Sequence, residues 1–298
     1  MLASDGVLEC VPRCTEVPVV IDENIVDFGM RDSLLCAITN EGQLRCRNRF
    51  DEQPRVAQTG VAASVSVGKL NACVHLKSGQ IQCYRANNAP LRRWGTGSTW
   101  KLWSWEPHEP SFLDVAATEV GWGSAFFVRT SGDVWFVGLN PVSMAGAQPP
   151  ARFAQHPVRV AALSQVVAVA AALSFACAID RSGEMRCWGL ASAFSHGSGP
   201  TLRPPTQIAA GSYQKQIAGG QNHVCALDVA GVVTCLGDFS LPDGSFVFDA
   251  QRTVLRDERI VQIATGAGAT CALFRSGRYD CWGGGWNLCR GDSPTWRE

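Results

Sequence analysis

The chain has 298 residues, of which 46% are hydrophobic and 17% are charged. A chain this long and this apolar can bury a large core, which excludes general disorder. Lys and Arg together number 26, as do Asp and Glu, so the basic excess typical of a nucleic-acid-binding protein is missing and we expect no nucleic-acid partner.

Thirteen cysteines stand out, because ten of them form a repeated pattern. Each of five pairs has nine residues between its members and a glycine four residues before the second cysteine. In chain order the pairs are Cys36/Cys46, Cys73/Cys83, Cys177/Cys187, Cys225/Cys235 and Cys271/Cys281. The matching glycines are Gly42, Gly79, Gly183, Gly231 and Gly277. A spacing this regular predicts a repeat protein.

Two further copies lack the full cysteine pair. One runs from Phe126 to Phe136, with phenylalanine in both cysteine positions, and the other is the N-terminal segment that ends at Cys10. We therefore predict a single domain over residues 1–298 with seven repeats, the first of them incomplete. The predicted hairpins lie at about 1–10, 36–46, 73–83, 126–136, 177–187, 225–235 and 271–281.

The segment from Cys177 to Cys187 predicts the geometry of one copy. If the two cysteines face each other across an antiparallel pair, Ile179 faces Met185 and the three residues 181–183 form the loop. Such a loop is commonly a type I turn followed by one left-handed residue, for which glycine is the favoured choice. This accounts for Gly183 and its equivalents.

A further strand is predicted before each hairpin. It ends at Gly68, Gly121, Gly220 or Gly266, five residues before the first cysteine or its phenylalanine substitute. The first full copy departs, with Gly29 seven residues before Cys36. With an outer strand in each connection, such as residues 157–160, the repeats predict an all-β propeller of four-stranded antiparallel blades. A β-solenoid is the alternative, although its repeats are usually shorter.

Residues 160–179 are apolar over about 20 positions, the length of a membrane helix. The repeat register assigns the same residues to two strands, so we predict no membrane span.

Several segments resemble a known repeat family. The run GQNHVCAL from Gly220, the run GVVTC from Gly231, and the CWG motifs at 187–189 and 281–283 resemble the regulator of chromosome condensation repeat. The resemblance implies a propeller, typically of seven blades. The cysteine pairs are more similar to bacterial exported members than to the eukaryotic namesake, which promotes nucleotide exchange on a small GTPase and binds chromatin. The family also includes a secreted β-lactamase-inhibitory propeller, so function does not follow from this fold.

Opposed residues of antiparallel strands lie within disulfide range, so we predict a disulfide within each of the five hairpins. Disulfides imply an extracytoplasmic or secreted protein, whereas reduced thiol pairs would place it in the cytoplasm. The N-terminus has no leader pattern, from which we expect that the chain lacks its true start. The cysteines outside the pairs are Cys10, Cys14 and Cys289.

The sequence offers little catalytic chemistry. Cys10 and Cys14 are the only close pair, and the five histidines are far apart, so we expect no metal site, no cofactor and no enzyme. His223 lies where the family often has histidine, which implies a structural role. The segment from Arg290 to Asp292 resembles an integrin-recognition tripeptide, a match expected by chance for such common residues.

These observations predict a noncatalytic propeller, a monomer, that binds a protein partner. Binding or processing of a glycan is the first alternative, and guanine-nucleotide exchange, by fold analogy alone, is the second. The spacing between marker glycines lengthens after Gly79, in the connection 85–111. This connection holds the predicted partner-binding residues Arg92, Arg93, Trp94, Trp100, Trp103 and Trp105. Trp and Arg are enriched at interface hot spots, but the same tryptophans could instead form the outer strand.

Overall fold

The structure is a computed structural model that describes sixteen segments of the chain. They are residues 8–10, 19–22, 24–31, 34–48, 55–57, 62–68, 71–85, 101–103, 114–121, 124–139, 153–190, 202–208, 213–266, 268–276, 278–283 and 286–292. Within these segments the chain forms 26 strands and no helix.

Six sheets contain four antiparallel strands each, in chain order, and we number the sheets 1 to 6. Sheet 1 consists of β3 (Ile25–Arg31), β4 (Leu34–Thr39), β5 (Leu44–Asn48) and β6 (Arg55–Ala57). Sheet 2 consists of β7 (Ala62–Val67), β8 (Asn71–Leu76), β9 (Ile81–Arg85) and β10 (Lys101–Trp103). Sheet 3 consists of β11 (Val115–Val120), β12 (Ser124–Arg129), β13 (Val134–Leu139) and β14 (Phe153–Arg159).

The remaining sheets follow the same pattern. Sheet 4 consists of β15 (Val166–Ala171), β16 (Phe175–Asp180), β17 (Met185–Leu190) and β18 (Leu202–Ile208). Sheet 5 consists of β19 (Gln214–Gly219), β20 (His223–Asp228), β21 (Val232–Ser240) and β22 (Phe246–Arg256). Sheet 6 consists of β23 (Ile260–Thr265), β24 (Ala269–Phe274), β25 (Arg278–Gly283) and β26 (Trp286–Asp292). A two-stranded sheet of β1 (Leu8–Cys10) and β2 (Val19–Asp22) precedes them.

The sheets stack through their first strands. Each first strand contacts the first strand of the next sheet, from β3 to β23, while every strand pairing lies within one sheet. A solenoid would instead pair strands of successive repeats. Strands such as β16 and β20 have residues buried on both faces, because each sheet is covered by a neighbour on either side. The predicted all-β propeller is confirmed, and the count of seven repeats stays a prediction.

The predicted hairpin register is confirmed. Cys177 is the Cα partner of Cys187, and Ile179 is the partner of Met185. The amide of Gly183 donates a 2.9 Å hydrogen bond to the carbonyl of Asp180, which closes the three-residue loop. In the copy without cysteines, Phe126 faces Phe136 with ring centroids 5.0 Å apart.

The marker glycines also serve the contact between sheets. Gly183 has φ +76°, in the left-handed region that the loop requires. A Cβ atom there would lie 2.5 Å from the ring of Tyr213 and 2.9 Å from the amide nitrogen of Gln214, both at the start of sheet 5. Gly132 has the same close approach to Gln165, at the start of sheet 4. Glycine is therefore needed for two reasons, the turn and the packing of the next sheet.

All five predicted cysteine pairs lie at disulfide distance. The S–S distances are 2.03–2.15 Å, and each pair joins the two middle strands of its sheet at a Cα separation of 4.0 Å. Of the other cysteines, Cys10 lies in β1 and Cys289 lies in β26 opposite Cys281, while Cys14 lies outside the described residues.

Peptide mapping under non-reducing conditions should find one disulfide within each of the five hairpins. A bridge that closes a loop of about ten residues contributes at most about 3 kcal/mol, which is the loop-closure entropy that it removes from the unfolded chain. A reduced and alkylated sample is the control. A peptide that joins Cys46 to Cys73 would show that the register is wrong.

The apolar run 160–179 forms strands rather than a membrane span. Residues 166–171 are β15 and residues 175–180 are β16. Over the described part of the chain, no helix is long and apolar enough to cross a membrane.

Candidate functional site

The first strands of the sheets end close to one another, and the first strand of sheet 1 ends differently from the others. Gly68, Gly121, Gly220 and Gly266 follow directly after β7, β11, β19 and β23, as the repeat predicts. The residue in this position of sheet 1 is Arg31, five residues before Cys36, and not Gly29. Gly29 lies within the strand, because the register of β3 against β4 extends two residues further.

Arg31 joins three other sheets. Its Nη1 donates to the carbonyl of Val120 at 2.7 Å, and its Nη2 donates to the carbonyl of Ala171 at 2.7 Å. Nη2 also bonds the carbonyls of Gly219 and Gly220, at 2.5 and 3.0 Å. These acceptors end the first strands of sheets 3, 4 and 5. Because a guanidinium presents several donors in a fixed plane, one side chain can hold all three strand ends.

Glu119 is the acidic partner of Arg31. Its Oε1 lies 3.4 Å from Nη1 and also accepts a 3.3 Å hydrogen bond from the amide of Ala171. Burial raises the pKa of Glu119, and the charge of Arg31 opposes this rise. The side chain of Arg31 is 8% exposed and that of Glu119 is 24% exposed, so Arg31 is buried and Glu119 is half-buried.

Other polar side chains join neighbouring first strands in the same way. Asp27 accepts a 2.8 Å hydrogen bond from the amide of Val65. Gln216 bonds both the carbonyl and the amide of Ile263, at 2.9 and 2.8 Å. Burial raises the pKa of Asp27. These groups connect one sheet to the next, which is a structural role.

His223 is a buried histidine between sheets 5 and 6. Its Nε2 lies 3.0 Å from Oγ1 of Thr270, and the residue is 1% exposed. Burial, with a smaller contribution from Arg31, lowers its pKa to about 4. The histidine is therefore neutral near pH 7 and packed inside the fold. Among the described residues no group of three potential metal ligands comes together.

The ten predicted disulfide residues lie inside the sheets and not at a common surface. The structure places Cys36 beside Cys46, Cys73 beside Cys83, Cys177 beside Cys187, Cys225 beside Cys235, and Cys271 beside Cys281. Each pair belongs to a different sheet, so the five pairs do not come together in one site.

Cys235 shows why these residues are structural. Cys235 is fully buried in the core between sheets 5 and 6. Phe239 and Trp282 belong to the same core, and the Cα partner of Cys235 on β22 is Arg252. Cys235 faces Cys225 at disulfide distance, as the repeat predicts, and as a buried core residue it offers no surface to a partner or ligand.

The predicted partner-binding residues lie mostly outside the described part of the chain. Trp103 belongs to β10, where it is the Cα partner of Cys83, so this part of the connection forms the outer strand of sheet 2. The other predicted residues fall outside the described segments or have no described side chain, namely Arg92, Arg93, Trp94, Trp100 and Trp105.

Sequence analysis missed an exposed aromatic hairpin formed by β21 and β22. Phe246 and Phe248 are 49% and 73% exposed, and their ring centroids are 4.6 Å apart. Val247 between them packs against the buried core of sheets 5 and 6. The turn contains Asp243-Gly244 between apolar segments, a hairpin signal that could have revealed it. The two rings contact each other and stay largely exposed, so they form a small apolar patch that is a candidate interaction surface.

The segment resembling an integrin-recognition tripeptide lies in a strand. Arg290, Gly291 and Asp292 belong to β26, and their Cα partners in β25 are Asp280, Tyr279 and Arg278. The backbone here is extended and paired, so the tripeptide forms part of the sheet.

No protein-family model matches the chain, and no curated protein matches it by sequence. Solved structures do resemble it. Prp20p from Saccharomyces cerevisiae, described with its binding to Gsp1p and histones, has a TM-score of 0.69 at 13% identity, over 86% of this chain and 71% of that one. Human WBSCR16 has a TM-score of 0.69 at 14% identity, over 90% and 78%. The ectodomain of the Arabidopsis thaliana receptor kinase ACR4 has a TM-score of 0.50 at 17% identity, over 91% and 98%. At these identities the likeness extends to the propeller fold alone.

Proposed function

We propose that this chain is a noncatalytic, monomeric propeller scaffold that binds a protein partner. The observation that carries the proposal is the pair of exposed rings of Phe246 and Phe248, fixed on a hairpin whose other face is packed. The described ionisable groups around Arg31 bond the sheets to one another, which favours a scaffold over an enzyme. Prp20p, which has a similar fold, is described as binding Gsp1p and histones.

We place the protein outside the cytoplasm, as an exported, cysteine-paired relative of the bacterial members of the repeat family. Five cysteine pairs at disulfide distance support this, since such pairs persist in oxidising compartments and are rare in the cytosol. The long connection of sheet 2 is the second part of the proposed surface, because Trp and Arg are frequent in interface hot spots.

The test combines binding with stability. The immobilised protein is exposed to a secreted fraction of its source cells, and the retained proteins are quantified for wild type, Trp94→Ala, Trp100→Ala and Phe248→Ser. We expect at least one variant to bind one of the retained proteins more weakly than wild type does, by about 1–3 kcal/mol. The melting temperature of that variant should be unchanged. Val229→Ser is the matched control, because Val229 is 59% exposed on another hairpin loop of the same sheet.

Two results would contradict the scaffold proposal. Loss of binding only in proportion to loss of folded protein would mean that these side chains are structural. Specific binding on a glycan array, with no protein retained, would favour the carbohydrate alternative.

A further inference from the structure

The outer strand of sheet 5 differs from the outer strands of the other sheets. β22 has 11 residues, whereas β6 and β10 have three each and β14, β18 and β26 have seven. β14 contains Pro157, and β18 contains Pro204 and Pro205. β22 contains neither proline nor glycine.

These differences matter because outer strands are sheet edges. An edge strand presents unpaired amides and carbonyls, and proteins commonly protect such edges with short strands or proline. Four of the five other outer strands have one of these protections. β22 has neither, and two register shifts divide its pairing with β21 into shorter regular stretches. Within the described residues, β22 pairs only with β21, so its second edge has no strand partner there.

The backbone of β22 is oriented for pairing near its exposed rings. The amide of Leu241 donates to the carbonyl of Ser245 at 2.7 Å, which closes the hairpin. Hydrogen-bonded and non-bonded pairs alternate along an antiparallel ladder. The next pair, Ser240 with Phe246, is therefore a non-bonded one, and the amide and carbonyl of Phe246 point away from β21.

The side chains of β22 divide by position. Val247 and Leu255 pack against the core, whereas Phe246, Phe248, Arg252 and Arg256 are exposed. From Ala250 to Arg256 the strand carries two arginines and no acidic residue. Because the register shifts between Val233 and Thr234, Arg252 shares the face of Leu255, and Arg256 lies on the opposite face. The exposed side chains are thus aromatic near the turn and cationic further along the strand, which favours a partner segment with apolar residues at one end and acidic residues at the other.

We propose that β22 binds an extended segment of the partner protein as a fifth strand of sheet 5. Main-chain hydrogen bonds to the outer edge of β22, near Phe246, would supply affinity. Apolar side chains against Phe246 and Phe248 and carboxylates near Arg252 and Arg256 would supply specificity. This proposal rests on the protein-binding function and names the chemical class of segment that is bound.

The probe is a phage-displayed library of random linear peptides, selected on the disulfide-intact protein. We expect enriched peptides that combine apolar and acidic residues and that protect the amide of Phe246 from hydrogen exchange. Phe248→Asn and Arg252→Glu should each weaken the best peptide about tenfold or more. Two versions of the best peptide are N-methylated, one at its odd-numbered and one at its even-numbered residues. Only one of the two should lose binding, since a strand bonds its neighbour through every second amide.

Val229→Asn is the control variant and should leave peptide affinity unchanged. Peptides that protect residues outside β22, or that tolerate N-methylation at every position, would overturn strand addition, as would a selection without enrichment. If the protein captured in the pull-down still depends on Trp94 or Trp100 in that case, the scaffold function stands without β22. If no peptide binds to β22 and no captured protein depends on Trp94 or Trp100, both proposals are wrong.

Discussion

Replacing Arg31 with methionine should lower the free energy of unfolding by about 3 kcal/mol or more, because the buried guanidinium bonds four carbonyls and each buried acceptor left without its donor costs about 1–3 kcal/mol. Glu119 would lose its charge partner, and carbonyls at the ends of β11, β15 and β19 would lose a donor. Denaturant unfolding monitored by tryptophan fluorescence measures the change.

Arg159→Met is the matched control for this substitution. Arg159 also pairs with a carboxylate, that of Asp133 at 2.6 Å, but its side chain is 57% exposed. Exposed ion pairs contribute about 0–1 kcal/mol, so the control should lose no more than that. Arg31→Lys should fall between the two, because it keeps the charge and loses the planar set of donors. Equal losses for Arg31→Met and Arg159→Met would contradict the role of Arg31 as the link between sheets.

Acidification should destabilise the protein through His223. The pKa of His223 is about 4 in the folded state, against an ordinary value of 6.5, so between these values the unfolded state binds more protons. Stability is therefore complete above about pH 6.5 and falls as the pH falls, by about 3 kcal/mol at pH 4. The free energy of unfolding, measured from about pH 8 to about pH 4, gives this slope.

The His223→Gln variant isolates the contribution of the histidine. Glutamine can still bond Thr270 but does not titrate, so the variant should lose this part of the acid destabilisation. The comparison of variant with wild type is needed because Asp27 and Glu119, whose pKa values are raised, change stability in the opposite direction as the pH falls. Val229→Ser, at an exposed position that does not titrate, is the control and should retain the wild-type slope. An unchanged slope in His223→Gln would refute the assignment.

The local units of this fold were predictable from sequence because their determinants are close together in the chain. The cysteine spacing and Gly183 specify a hairpin with a three-residue loop, and the structure has the same register. The order of four strands in each sheet followed from the repeat, and the run 160–179 was correctly assigned to strands despite its hydrophobicity. In these cases the place of a residue in a strand or a turn is specified by residues within about a dozen positions of it in the sequence.

The contacts between sheets were decided by the tertiary structure. Arg31 looks like an ordinary charged residue in the sequence, and only the convergence of strand ends from sheets 3, 4 and 5 makes it a buried link, across up to 189 positions of the chain. The same holds for His223, whose pKa depends on burial between two sheets. The exposure of Phe246 and Phe248 also depends on which face of β22 the neighbouring sheet covers. Sequence alone determined the repeated hairpin, because the hairpin is local, whereas packing of the sheets decided which polar groups are buried and which aromatic rings face the solvent.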